Sequence, residues 1–156
     1  MDVLDGVIIR EFAKSDRQWV VDFFDQMGGE TRAFFCQGDY NRNTALSFFD
    51  GNPEDKVFFL AEKDGVMVGY VFLFDTRKKI PWLGIAVSED MKGRHLGRRL
   101  IQRAKDYAKQ HGMGGIMLTT NFANLRGQGL YAREGFERLG MHSSGELLYI
   151  YRFDYE

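Results

Sequence analysis

An apolar run from Ile80 to Val87 leads through a basic, glycine-containing turn into a second run, Leu96 to Ala108. In the second run Leu96, Leu100, Ile101, Ala104, Tyr107 and Ala108 fall on one side at helical spacing. The pattern predicts a strand, a turn and a helix in succession. The first N–H groups of such a helix have no intrahelical acceptor, and its dipole favours negative charge there. Lys92, Arg94, Arg98 and Arg99 surround that point. A phosphorylated small molecule is the expected ligand, set against the plainer reading of a solvated basic helix face. The turn is not a P-loop, because no Gly-Lys-Ser/Thr triplet is present, and its glycine spacing does not fit a dinucleotide turn.

The rest of the chain places this unit in a mixed α/β sheet. Val7 to Phe12 reads as a first strand. Ser15 or Asp16 is placed to cap a helix that runs to about Met27, where Gly28-Gly29 ends it. Residues 28–43 read as irregular, and Thr44 to Phe49 as a short helix stopped by Asp50-Gly51-Asn52-Pro53. Val57 to Glu62 and Val66 to Phe74 are strands joined by the hairpin turn Lys63-Asp64-Gly65. Ile80 to Val87 is then the fourth strand and Gly115 to Thr120 the fifth. Asn124 caps a last helix ending near Gly135, and Phe136 to Met141 with Leu147 to Phe153 forms a closing hairpin.

Composition narrows the function classes. A chain of 156 residues without repeats or linkers fits one domain, residues 1–156, and buries roughly two thirds of its unfolded surface. A net charge of −1 argues against a dedicated nucleic-acid binder. The single cysteine, Cys36, excludes an internal disulfide and a thiolate metal cluster, so no metal is expected. The N-terminus lacks a basic leader with an apolar core, and no apolar run approaches the roughly 20 residues that span a bilayer. A cytoplasmic protein without a membrane partner, monomeric or homodimeric, is the expectation.

Two segments together carry a resemblance. Val87 to Leu100, VSEDMKGRHLGRRL, resembles the acyl-CoA-binding segment of the GNAT N-acetyltransferase superfamily, in which a valine closes the fourth strand and R/Q-x-x-G-x-G/A follows. Lys92 takes the R/Q place, His95 the first glycine place and Gly97 the second. The stretch NLRGQGLYAREGF resembles the family's second landmark, N-x-x-A-x-x-L-Y followed by G-F, with Asn124, Gly127, Leu130, Tyr131, Gly135 and Phe136 in those places. The implied fold is α/β (α+β): a mixed central sheet of six to seven strands with about four helices, its fourth and fifth strands splayed. The implied activity is direct transfer of an acetyl group from acetyl-CoA to a primary amine of a small molecule or peptide. The alternative is a non-catalytic acyl-CoA-binding or protein-interaction domain of the same fold.

The resemblance also implies roles. Backbone around Arg94, His95, Leu96 and Gly97 would meet the coenzyme A pyrophosphate, with Lys92, Gly93 and Arg98 beside it and Arg99 within reach of the nucleotide. Ile85, Ala86 and Val87 would pair with the pantetheine arm and hold the oxyanion through backbone N–H groups. Gly84 would leave room for that arm, or merely relieve crowding by Trp82. Asn124 and Gly127 would pack on the cofactor, and Gly127 and Gly129 suggest close approach by it, since each costs roughly 1 kcal/mol in a helix. Tyr131 would supply a proton to the leaving thiolate or hold its sulfur. His95 departs from the glycine pattern, although histidine tolerates positive φ better than most residues. Phe34, Phe35, Tyr40, Trp82 and Asn121 are acceptor-pocket candidates. No acid lies on residues 80–87, which leans toward a less basic amine unless another element, such as Glu30 or Asp75, supplies a carboxylate.

Overall fold

The computed structural model describes residues 2–4, 6–26, 53–93 and 95–155. Their elements in chain order are β1 (Asp2–Leu4), β2 (Val7–Glu11), α1 (Arg17–Asp25), β3 (Lys56–Lys63), β4 (Val66–Phe74) and β5 (Trp82–Val87). Then follow α2 (Leu96–Gln110), β6 (Gly115–Thr120), α3 (Leu125–Arg133), β7 (Glu137–Met141) and β8 (Leu147–Arg152). All eight strands join one sheet in the order β1-β2-β3-β4-β5-β6-β8-β7. Every neighbouring pair is antiparallel except β5 and β6, which are parallel and joined through α2.

The local reasons are readable in the chain. Asp64 and Gly65 both hold positive φ, 53° and 79°, the turn geometry whose twist suits a two-residue hairpin. The apolar stripe of α2 lies against Leu83 and Ile85 of β5, Ile116 and Leu118 of β6 and Tyr149 of β8. The opposite face carries α1, whose Val20, Val21, Phe23 and Phe24 pack with Leu60, Tyr70, Phe72 and Ala86. Alternate residues of each strand therefore serve two different cores.

The strand number, the start of β5 and the Asp16 cap differ from expectation. The sheet has eight strands rather than six or seven, because Asp2–Leu4 turns back at Gly6 and pairs with β2. The described residues contain three α-helices, and the fourth expected helix, Thr44–Phe49, lies outside them. The fourth expected strand begins at Trp82 rather than Ile80, since Pro81 has no N–H to give a ladder. Asp16 precedes α1 but does not cap it by its side chain. Its carboxylate instead takes two hydrogen bonds from Arg10, at 2.7 and 2.8 Å, and one from the Ala13 N–H at 2.8 Å. That pairing holds the Asp16 carboxyl below its usual range and raises the Arg10 guanidinium.

Candidate functional site

The parallel junction between β5 and β6 sets the geometry of the site. The two strands are in register only at Trp82 and Met117, where the Met117 N–H also reaches the Pro81 carbonyl at 2.9 Å. Beyond that rung they part, as the splay of the fourth and fifth expected strands required. The gap opens on the α2 side into a cavity of about 720 Å³. Its walls are Ile85, Ala86 and Val87 of β5, then Met91, Lys92, Gly93 and His95 of the turn, Leu96, Gly97 and Arg98 of α2, and Asn124, Gly127, Leu130 and Tyr131 of α3. Arg94 lies outside the described residues. Apart from Arg99 and Gly129, the other residues expected to contact the cofactor line this one cavity.

The turn bends through two positive φ values, 80° at Gly93 and 64° at His95. Histidine thus holds the left-handed conformation that glycine adopts freely. Its side chain is exposed, and the N-terminal turn of α2 starts directly after it. Gly97 has a packing reason: a Cβ there would come within 2.8 Å of the Leu130 side chain, so its absence lets α3 approach α2.

Cations gather around this cavity. Lys92 pairs with Glu89 at 3.1 Å and Arg98 with Glu134 at 3.6 Å. Arg126 and Arg133 also line it and were not anticipated. Their spacing of two helical turns on α3 would have put them on one face. Arg99 departs from expectation, because its guanidinium is turned toward the Val7 carbonyl at 3.4 Å.

Asn124 caps α3 as its position suggested: its Oδ1 accepts from the Gly127 N–H at 3.1 Å, and its Nδ2 donates to Thr120 Oγ1 at 3.1 Å. The glycines of this helix have a different cause from the one expected. A Cβ on Gly127 would meet the Asn124 amide at 2.4 Å, and one on Gly129 would meet the Arg133 guanidinium at 3.2 Å. The cap therefore gives Gly127 a reason within the protein. Gly84 is likewise covered from inside the protein, since a Cβ there would meet the Phe72 ring at 2.3 Å. The crowding comes from Phe72 rather than Trp82.

Tyr131 is 7% exposed and forms part of the cavity wall. Its ring packs edge-on against Phe136 and tilted against Tyr149, with centroids 6.0 and 5.9 Å away. Burial pushes its phenol pKa well above the ordinary value, and the charge of Glu146 and the neighbouring Tyr149 push the same way. Lys105 of α2 fixes the far end of α3. Buried over the Tyr151 ring at 4.0 Å, its ammonium donates to the Glu134 carbonyl at the helix C-terminus, where a cation is favoured. Burial lowers the Lys105 pKa.

The acceptor-side candidates separate. Trp82 is half-buried, stacked on Phe74 at 6.4 Å and met edge-on by the His142 ring at 5.7 Å, and it is not in the cavity wall. The Asn121 side chain is occupied within its own turn, accepting from the Ala123 N–H at 2.8 Å. Phe34, Phe35, Tyr40 and Glu30 lie outside the described residues. A carboxylate that sequence reasoning missed stands near: Glu146 accepts from Thr119 Oγ1 at 3.1 Å. It sits in the closing hairpin turn, where nothing in the sequence signals a site. Among the described residues no group of three His, Cys, Asp or Glu side chains is placed to hold a metal, and no helix is long and apolar enough to cross a membrane.

Comparison with known proteins fits this geometry. The sequence pattern of the Acetyltransferase (GNAT) family matches residues 18–136. "Uncharacterized N-acetyltransferase YhfO" of Bacillus subtilis (strain 168) is 28% identical over 137 residues, covering 83% of this chain and 89% of that protein. The crystal structure of the GNAT domain of S. lividans PAT superposes with a TM-score of 0.84 at 15% identity, covering 93% of this chain and 89% of that one. The structure of yncA, a putative acetyltransferase from Salmonella typhimurium with its cofactor acetyl-CoA, gives a TM-score of 0.78 at 18% identity over 97% and 96% of the two chains. The parted strands, the phosphate-sized turn at the start of α2 and the matched family pattern converge: this chain belongs to the GNAT family of acetyltransferases.

Proposed function

We propose that the chain, acting as one domain, binds acetyl-CoA and transfers its acetyl group directly to a primary amine of a small molecule or peptide. The observation that carries this reading is the cavity at the parted strands, which joins a cationic turn at one end to Tyr131 at the other. Its residues fit the group: the β5 backbone beyond Trp82 has no ladder partner toward β6, and Lys92, Arg98, Arg126 and Arg133 surround the start of α2. Acetyl-CoA supplies an acetyl thioester.

The chain's own residues do the rest. The cations and the first N–H groups of α2 hold the phosphates. Backbone of Ile85, Ala86 and Val87 pairs with the extended arm, and its N–H groups polarise the thioester carbonyl. Tyr131 keeps its proton throughout the working pH range. Because its pKa is raised while a thiol's lies near about 8.5, full proton transfer from the phenol to a thiolate is uphill. Its hydroxyl therefore works by hydrogen-bonding the leaving sulfur rather than by giving the proton away.

The non-catalytic alternative leaned on His95 and on the missing strand acid. His95 keeps the positive φ of the glycine it replaces, and Glu146 provides a carboxylate from another element. Both observations favour the enzyme. The test is a thiol-release screen with acetyl-CoA over α-amino peptides, lysine peptides, polyamines, amino acids and aminoglycosides. At least one acceptor should release thiol. Thermal stabilisation by coenzyme A with no release from any acceptor would leave only the binding domain.

A further inference from the structure

Side chains beside the gap between β5 and β6 alternate between the two faces of the sheet. Tyr131 belongs to the α2 side, within the core formed by Leu83, Ile85 and Leu118. Thr119 faces the other way. It follows Leu118 by one residue and Met117 by two, so it shares the Met117 face, and Met117 is the rung partner of Trp82. It lies two residues beyond the last rung, where the strands have already parted. Thr119 Oγ1 donates to Glu146 at 3.1 Å, which holds the carboxylate beside the parted end of β6.

The hairpin that carries Glu146 is tightly tied. The His142 N–H donates to the Glu146 carbonyl at 2.7 Å and the Gly145 N–H to the His142 carbonyl at 2.9 Å. His142 in turn packs its ring edge-on against Trp82, so the hairpin that carries the carboxylate is anchored at the start of β5. The Glu146 charge also raises the Tyr131 phenol pKa, so carboxylate and phenol stand within electrostatic reach of one another. Tyr131 is the titratable group whose pKa the Glu146 charge shifts, and His142 shares its hairpin.

We propose that Glu146, positioned by Thr119 beside His142 and Trp82, binds the acceptor's ammonium group and takes its proton, so that the acceptor is a strongly basic primary amine. This rests on the transferase reading above and reverses the lean toward a weakly basic amine. A protonated amine docks on the carboxylate and the aromatic face. It loses one proton to Glu146, which passes it to solvent, and presents its lone pair. The nitrogen forms the C–N bond as the C–S bond breaks. The remaining excess proton on nitrogen passes to Glu146, and the thiolate, held by the Tyr131 hydroxyl, is protonated from solvent. Glu146 then returns its proton to solvent.

The experiment compares wild type with Glu146→Gln and Glu146→Asp. Acetyl-CoA is assayed with an N-terminal alanine peptide, a lysine peptide, spermidine and kanamycin over pH 6 to 10. Glu146→Gln should lower kcat/KM by about 100-fold at pH 7. The deficit should shrink as pH rises and free amine accumulates, while Glu146→Asp recovers part of the rate. In parallel, calorimetry follows the same amines binding to the protein loaded with coenzyme A, where no reaction occurs. Glu146→Gln should weaken amine binding about tenfold and leave coenzyme A affinity unchanged. A loss equal at every pH, or amine affinity untouched by the substitution, overturns the role of Glu146. Wild type that binds acetyl-CoA but releases thiol with no amine overturns the transferase reading instead.

Discussion

Strand β5 has two neighbours, and they treat it in opposite ways. Toward β4 it is laddered along its whole length, from Trp82 opposite Phe74 to Val87 opposite Gly69. That side is closed by aromatics: Phe72 covers Gly84 and lies near Tyr70, Phe58 and Phe74 at 5.9, 5.3 and 5.8 Å between ring centroids. Toward β6 it keeps one rung and then gives way to a cavity of about 720 Å³. The same six residues serve as a wall on one side and a binding edge on the other. The contrast teaches that stability and ligand response should be separable by the side of β5 on which a change is made.

The sharpest way to break the contrast is on the closed side. Phe72→Ala should destabilise the fold by about 3–5 kcal/mol in denaturant titration, while coenzyme A still adds its usual stabilisation. Gly84→Ala alone should cost about 1–3 kcal/mol through overpacking, and nearly nothing in the Phe72→Ala background. Additive losses would mean that the two residues do not share that space. On the open side, Tyr131→Phe should keep acetyl-CoA affinity and lower kcat about 100-fold, with little change in melting temperature. With the phenol pKa raised, wild-type kcat should show no fall attributable to Tyr131 as pH passes 10. Full activity in the variant would remove Tyr131 from the chemistry.

Smaller effects sharpen the same picture. Asn124→Ala removes the cap of α3 and should cost about 1 kcal/mol, accompanied by weaker coenzyme A binding because the helix start lies in the cavity wall. His95→Gly relieves a left-handed residue and should raise ligand-free stability by about 1 kcal/mol. Far from both sides, Asp16 gives a pH handle. Its folded pKa lies below its unfolded value, so its contribution is complete above about pH 4 and is lost as pH falls through the folded value. Melting curves of wild type and Asp16→Asn should therefore differ at pH 7 and converge in strong acid.

Much of this contrast was legible in the chain. The hairpin at Asp64-Gly65, the stripe of α2 and the cap at Asn124 follow local rules of spacing and turn chemistry, and they stand where those rules put them. What the chain hid was tertiary. Nothing local tells that Gly84 answers to Phe72 twelve residues earlier, or that a Cβ on Gly127 would meet the Asn124 amide. Arg99 reads like Arg98, yet one residue of rotation around α2 turns it to β2. Glu146 sits in a turn between two strands, and only the pairing of β6 with β8 brings it to Thr119. Asp16 looked like a cap because the competing guanidinium of Arg10 is on another element.

A sheet joined across its middle by a single rung also has a natural fault line. Strands β1 to β5 form one cooperative ladder, and β6, β8 and β7 form another, with α2 as the chain link between them. Sub-global opening should run along that line, so amides at the start of β5 and in the centre of β6 should exchange with solvent before those of β3 and β4. A cofactor lying in the gap would bridge both ladders. Acetyl-CoA then acts as a removable seam, and the slowing of exchange on both sides of it, read residue by residue, would map its path without a crystal.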